Sequence, residues 1–463
     1  IKTAKFPVTS VLHSMLAECY QHYYENNRWK FFSRTQAIHA DSLDIHTWDL
    51  RTIMDKMTAE FELSLQNPEI LKKTPFIVYD EAIINRETDA KSRPTLFDFL
   101  AYRAIDFFSM ADDGLTKPAS EFALNSEDYL KPFEKFAQIK ITTEDTASLK
   151  FRALTLLQEL IVFHATNNDI DALIDADIKR LSFVRQYAVL PDKDSLYLTA
   201  LVSLENLAPY SPASAEATYR IALLYHEWAD SYVFKKNERY RWMNKEALKI
   251  CEKAIKAFPG SSGAKQSANL SAQITSKSMT FTNETVIVPG KPFKMLVSYK
   301  NISKVFWRQV PLSIEDFQAL METEGDSIAA GLAALKPIKE WSVDVPAPDD
   351  FKNHHVEVDA PALPLGHYAL LCASDSQFRL PSQAIAYNTV QVSRLSYIER
   401  RKINGKQEFL VLDREMGAPL KGVAAKVRSR TYDDKSRAYT LVPKGTYATD
   451  KNGLVIIGAS ILL

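Results

Sequence analysis

The first 276 residues are almost without glycine. They hold 3 of the chain's 13 glycines and 10 of its 21 prolines, while residues 277–463 carry the other 10 glycines and 11 prolines in a much shorter span. Sparse turn formers favour helices and dense ones favour short strands. A helical region followed by a strand-rich one excludes a single α/β sheet and predicts separate domains. Cysteine is scarce too: Cys19, Cys251 and Cys372 lie far apart, with no C-x-x-C pair. No disulfide framework can be inferred from them, and each reads as a small buried hydrophobe. Neither sign of charge is in excess, since Lys+Arg and Asp+Glu both total 57 and the formal charge is zero. Chains that track phosphates carry a basic excess, so nucleic acid is not an expected partner. No apolar run approaches the ~20 residues that span a bilayer. The chain opens at Ile1 with no basic-then-apolar signal segment and stops at Leu463 in an apolar run. It reads as a piece of a longer polypeptide, any export signal removed or lying outside it.

What remains is ordinary globular material. The chain has 463 residues, 46% hydrophobic and 25% charged, enough for two to four domains with their own cores.

Helical periods run through the front. Thr95-Leu-Phe-Asp98 follows Pro94 as a capping-box start, and Leu96, Phe99, Leu100, Ala104, Phe107 and Phe108 recur on one face. A further helix is expected from about Glu144, with Leu149, Ala153, Leu156, Leu157, Leu160 and Phe163 inward, and another over Leu196–Leu207, ended by Pro209 and Pro212. Residues 11–25 and 49–66 have similar periods, the latter stopped by Asn67-Pro68.

Residues 213–276 say more. Ala222, Ala247 and Ala254 are small, Tyr225 is aromatic, Cys251 lies between the last two alanines, and Pro259 follows Phe258. This resembles a tetratricopeptide helical hairpin, whose small positions let two helices approach. Ala222 and Ala247 stand roughly a dozen residues further apart than that repeat requires. The residues around Phe234–Trp242 therefore read as an inserted loop. The expectation for residues 1–276 is all-α, tetratricopeptide-like or solenoid-like.

From Ser278 the period drops to two. Phe293, Met295, Val297 and Tyr299 alternate with Lys294, Leu296, Ser298 and Lys300 after the turn Pro289-Gly290-Lys-Pro292. Strands are expected at His355–Asp359, His367–Ala373 and Thr389–Ser393, giving a β-sandwich over 277–393. Ile314–Leu335 interrupts it, with Ser327–Leu335 a short helix or a loop. A second β unit over 394–463 has Gln407–Asp413 as a strand. Its hairpin turns are Asp413-Arg-Glu-Met-Gly417-Ala-Pro419-Leu-Lys-Gly422 and Thr449-Asp450-Lys-Asn-Gly453-Leu454. About 70 residues are short for a sandwich, so this one is small or truncated.

Leu365-Gly366-His367-Tyr368-Ala-Leu-Leu, Phe409-Leu-Val-Leu-Asp413 leading into the Gly417-x-Pro419-Leu-x-Gly422 turn, and Thr449-Asp450-x-x-Gly453 occur in that order. The series resembles consecutive macroglobulin-like domains of bacterial α2-macroglobulin family proteins. Met416 stands where that turn usually has Thr. Pro7-Val-Thr-Ser-Val-Leu-His-Ser-Met-Leu and Arg93-Pro-Thr-Leu-Phe-Asp-Phe-Leu are similar, more loosely, to the helical front of some large members. The resemblance implies macroglobulin-like, immunoglobulin-like sandwiches after a helical region. It also implies a periplasmic or cell-surface setting and a framework role in proteinase trapping, the proteinases engaging downstream parts of the whole chain. The family's thioester sequence C-[GL]-E-Q is absent, the cysteines here reading Cys19-Tyr-Gln-His, Cys251-Glu-Lys-Ala and Cys372-Ala-Ser-Asp. No catalytic, cofactor-binding or metal residue carries over, and no cofactor is expected.

Possible chemistry is outweighed by packing. His226-Glu227-x-x-Asp230 has metal-ligand spacing, but the segment lies in the hairpin helix, where core packing is the better reading. Glu18 and His22, beside Cys19, read as an i,i+4 pair. His354 and His355 are adjacent on a strand, point to opposite faces and cannot chelate together. Pro259-Gly-Ser-Ser-Gly263 lacks nucleophile-elbow spacing, and no phosphate-loop motif occurs. Lys235-Lys236-Asn-Glu238-Arg239-Tyr-Arg241-Trp242 mixes cations with aromatics, and is read as a solvated loop or a partner-binding one. Glu399-Arg400-Arg401-Lys402 reads as an exposed hairpin end. Asp41-Ser-Leu, Asp145-Thr-Ala, Asp194-Ser-Leu and Asp326-Ser-Ile match a permissive bacterial O-glycosylation tripeptide. The function expected is non-catalytic: a framework of a proteinase-trapping inhibitor. The alternative is a cell-envelope scaffold binding a peptide or protein through the helical region.

Overall fold

The computed structural model describes residues 1–32, 44–82, 91–110, 120–313, 316, 326–379, 384–403, 405–433 and 438–458. The chain forms two compact units, Ile1–Ile274 and Thr275–Leu463.

The first unit is helical. Its helices are α1 (Val8–Phe32), α2 (Leu50–Ser64), α3 (Pro68–Leu71), α4 (Leu96–Phe108), α5 (Phe133–Phe136), α6 (Leu149–Asn167), α7 (Ile170–Tyr187), α8 (Lys193–Leu207), α9 (Ser214–Asp230), α10 (Met243–Ala257) and α11 (Ser262–Thr275). The capping box at α4 is complete: Asp98 N–H donates to Thr95 Oγ1, and the Asp98 carboxylate accepts the Thr95 N–H. The expected single apolar face undercounts this helix, because Phe97, Ala101, Tyr102 and Ile105 are buried as well. It packs against α1, α2, α3 and α6, so nearly its whole circumference is core.

α6 begins five residues after Glu144. The Asp145 carboxylate accepts the Phe122 N–H, and the Ser148 hydroxyl accepts the Phe151 N–H as the N-cap. These side-chain bonds hold the preceding segment out of the helix. The helix Ile170–Tyr187, unanticipated in sequence, carries Arg180, which is fully buried against Asp177. Its guanidinium also donates to the Tyr129 and Lys131 carbonyls and lies 4.4 Å from the Phe136 ring centre. One buried cation thereby ties 129–136 to α7.

Helices α6 to α10 pack in chain order, each on the next. The α9–α10 hairpin has the expected small contacts, with Ala222, Ala247, Cys251 and Ala254 buried. Helix lengths range from 4 to 25 residues, and one continuous apolar cluster runs from Ala17 to Leu224. The unit is a helical stack around a shared core, and the repeat character stays with that hairpin. Gly263 explains how α11 joins it: a Cβ there would sit 2.2 Å from the Ala215 backbone carbon, so only glycine permits the approach.

The second unit is built of sheets. β1 (Ser278–Asn283), β3 (Phe293–Lys300) and β6 (His354–Ala360) form one antiparallel sheet. Opposite it lies the order β2 (Val286–Ile287), β8 (Ile385–Val392), β7 (Gly366–Ala373), β4 (Lys304–Leu312), β5 (Lys339–Asp344), in which only the β2–β8 pairing is parallel. Met295, Val297 and Tyr299 face Trp307, Leu370 and Cys372 in the core between the two sheets. The far face of the larger sheet is also covered. Ala369, Leu371 and Val310 pack with Leu332 of α12 (Asp326–Ala334). β7 is therefore buried on both faces and its period is hidden. β4 escapes a sequence reading because it contains Pro311. Its partner β5 pairs only as far as Gln309, so Pro311 lies on an edge where no donor is needed. Half of the expected interruption, 314–315 and 317–325, falls outside the described residues.

The second β unit has the antiparallel order β9 (Leu395–Arg401), β10 (Gln407–Asp413), β13 (Leu454–Ile457), with β11 (Ala424–Asp433) and β12 (Ala438–Ala448) as a separate hairpin.

Candidate functional site

The two sequence turns of the second β unit are one structure. Asp413 Oδ1 accepts the Glu415 and Met416 N–H groups, and the Gly417 N–H donates to the Asp413 carbonyl at 2.8 Å. Asp450 repeats the device, its Oδ1 accepting the Asn452 and Leu454 N–H groups. Thr449 joins the turns: its buried hydroxyl donates to the Leu420 carbonyl at 2.6 Å and accepts the Val423 N–H at 2.9 Å. Gly453 donates no less to the junction by lacking a side chain. With φ +76°, a Cβ there would meet the Val411 carbonyl at 2.5 Å. Asp413, Thr449, Asp450 and Gly453 thus serve backbone closure. Met416 is 79% exposed, so its side chain takes no part in that closure.

The residues singled out for metal chemistry are engaged elsewhere. His226 Nδ1 lies 2.8 Å from Asn244 Oδ1 on α10, and Glu227 pairs with Arg185 of α7 at 2.6 Å. Arg185 also pairs with Asp194 at 2.8 Å, whose other oxygen accepts from the Trp228 indole. This network staples α7, α8 and α9. Glu18 pairs with Arg103 of α4, not with His22, which is exposed. His354 and His355 point apart as expected, to Asp350 and Ser298. Among the described residues no three His, Cys, Asp or Glu side chains come together to hold a metal ion. All three cysteines are free thiols; Cys19 is exposed, and burial pushes the Cys251 and Cys372 thiols up, away from the reactive thiolate. In the tripeptides, Asp145 is buried and Asp194 ion-paired, while Asp41 lies outside the described residues.

Sequence reading missed a fully buried polar pair of the helical unit. His164 Nε2 lies 2.7 Å from Asp98 Oδ1, both side chains at most 1% exposed, and Asp169 stands 3.6 Å from the other ring nitrogen. Sixty-six residues separate the pair, and no local pattern signals it. The Thr95 hydroxyl donates to Asp98 and not to the imidazole, so the line lacks the nucleophile–base contact of covalent catalysis.

Beside it opens a cleft of about 950 Å³ lined by Lys72, Thr95, Gln158, Glu159, Phe163 and Asp169, among others. Three of its polar groups are committed. Lys72 sits 3.0 Å from Glu159 and 4.9 Å from the Phe97 ring centre, and Gln158 donates to the Phe136 and Ile139 carbonyls. A second cavity, about 460 Å³, lies where α9 and α11 begin. Arg93 pairs there with Asp175 at 2.8 Å and stacks 3.6 Å over the Tyr102 ring. Burial pushes the Glu216 carboxyl up despite Arg220 and Gln266. No helix among the described residues is long and apolar enough to cross a membrane.

No family model and no curated protein matches the sequence. Among solved structures, the chain is similar to native α2-macroglobulin from Escherichia coli spanning domains MG0-NIE-MG1. The identity is 15% and the TM-score 0.28, covering 39% of this chain and 57% of that one. It is also similar to the CARDB domain of a Pyrococcus furiosus protein in complex with di-metal ions. There the identity is 12% and the TM-score 0.16, covering 26% of this chain and 88% of that one. Neither overlap extends over half of the chain.

Proposed function

We propose that this chain is a non-catalytic framework of a bacterial α2-macroglobulin-like proteinase inhibitor, working in the periplasm or at the cell surface. The observation that carries the reading is the interlocked pair of turns, Asp413–Gly422 with Thr449–Gly453, following a strand-rich sandwich in the order the family's domains have. The helix-then-sandwich architecture agrees with it. So do the contacts of Glu18, His226 and Glu227, each of which ties its helix to another. The framework's task is to carry the bait and capture segments of the whole protein and to transmit their rearrangement through domains that keep their internal packing.

The test uses the full-length parent protein incubated with several unrelated proteinases. Cleavage of a large protein substrate and of a small chromogenic peptide is followed in parallel. Protection of the large substrate with the peptide still cut supports a caged proteinase. Normal cleavage of both with every proteinase removes the trapping reading and leaves the envelope scaffold, with the 950 Å³ helical cleft as its first place to examine.

A further inference from the structure

The loop joining α9 to α10 is where the hairpin departs from a plain helical pair, and its chemistry differs from its surroundings. Between Val233 and Lys245 stand five cations, Lys235, Lys236, Arg239, Arg241 and Lys245, against one acid, Glu238, in a chain whose overall charge is zero. Three large apolar side chains face solvent among them: Val233 is 47%, Phe234 66% and Trp242 42% exposed.

The loop has a definite shape. The Lys236 and Asn237 N–H groups both donate to the Val233 carbonyl at 2.9 Å, and Asn237 Nδ2 donates to the Ser231 carbonyl at the end of α9. Lys235 takes a left-handed conformation, φ +62°, and its N–H is accepted by Glu238. The acid is thus used to close the turn that lifts Phe234. Arg241 and Lys245 lie 4.9 and 5.1 Å from the Trp242 ring centre, so positive charge collars the indole.

We infer that this loop docks the helical unit onto an anionic lipid bilayer. Trp and Phe side chains settle at the level of lipid headgroups, and adjacent Lys and Arg are drawn to a negative surface within a Debye length. Preformed, solvent-facing apolar side chains can enter a soft interface, whereas a peptide or helix partner is ordinarily received in a groove. A nucleic acid would exploit the same cations and the rings as stacking faces, and the experiment separates that case.

The 463-residue chain is co-sedimented with phosphatidylcholine vesicles, with and without phosphatidylglycerol, at low and high salt. Binding is expected only to the anionic vesicles, weakening with salt. Lys235→Glu with Lys236→Glu lowers the bound fraction at least about tenfold. Phe234→Ser with Trp242→Ser also lowers it, and leaves the weak remainder more salt-sensitive. The control variant Arg400→Glu with Arg401→Glu, in the exposed run on β9, leaves binding unchanged. Helical circular dichroism verifies that each variant is folded. The inference is overturned by no binding to anionic vesicles, by equal binding to both vesicle types, or by an equal loss in the control variant. It is also overturned by a single-stranded oligonucleotide binding where vesicles do not.

Discussion

Arg414 Nη2 donates to the Val286 carbonyl 2.7 Å away, joining a turn of the second β unit to a strand of the sandwich before it. The adjacent Glu415 pairs with Lys291, and the Ser393 N–H donates to the Ile287 carbonyl. The junction after β8 is therefore bridged, not merely short. The surface ion pair contributes little; the charged hydrogen bond to a backbone carbonyl is the stronger link, about 1.5–3 kcal/mol. Arg414→Ala should leave secondary structure intact while exposing 392–396 to limited proteolysis. An unchanged cleavage rate there would show that the bridge does not restrain the junction.

The turn pair sets a second expectation. Gly453→Ala forces a contact with the Val411 carbonyl and a left-handed alanine, a loss of about 1–3 kcal/mol. Thr449→Val leaves the half-buried Val423 N–H without its acceptor, at a similar or smaller cost. Faster amide exchange over Gln407–Asp413 and Leu454–Ile457, with no change in the helical unit, is the expected readout for both.

In the helical unit, Gly263→Ala should destabilise by about 1–3 kcal/mol or more, since the backbones of α11 and α9 would have to separate. The check is the thermal midpoint of the helical circular dichroism signal. A midpoint within error of the parent would mean that α11 is free to shift.

Two carboxylates should respond to pH with opposite signs. Burial raises the Asp194 carboxyl, but Arg185 and the Trp228 indole outweigh it and hold it below its ordinary value. Its contribution is present above the unfolded value and disappears as pH falls through the folded one. Asp194→Asn should therefore be destabilising near pH 7, and the deficit should close toward about pH 3. Glu216 is raised by burial, so its contribution is complete below the unfolded value and is lost as pH rises through the folded one. Glu216→Gln should gain on the parent from about pH 4 to pH 7. Urea midpoints at these pH values decide it, and parallel slopes for the two variants would sink the assignment.

The division into helices and strands was legible in the sequence because glycine distribution and apolar period are local properties. Thr95 to Asp98 and the Asp413 and Asp450 turns form bonds within a few residues, and the alternation from Phe293 to Tyr299 is a local pattern even though the strand's partners are distant. The His226-Glu227-x-x-Asp230 spacing reads as core helix for the same reason, since the packing residues beside it, Ala222 and Tyr225, are its near neighbours in sequence. What the chain does over long separations was not legible. His164 meets Asp98, Arg180 takes the Tyr129 carbonyl, Thr449 reaches back to Leu420, and Arg414 to Val286. Pro311 sits in a strand only because β5 ends beside it. The sequence alone shows where helices give way to strands and where the turns of the second β unit lie, since propensity and periodicity act between near neighbours, but it does not show α7 or β4. The tertiary structure alone sets which polar groups hold those segments together and which apolar side chains, as at Phe234 and Trp242, are left facing outward. Burial and pairing depend on neighbours brought in from far along the chain.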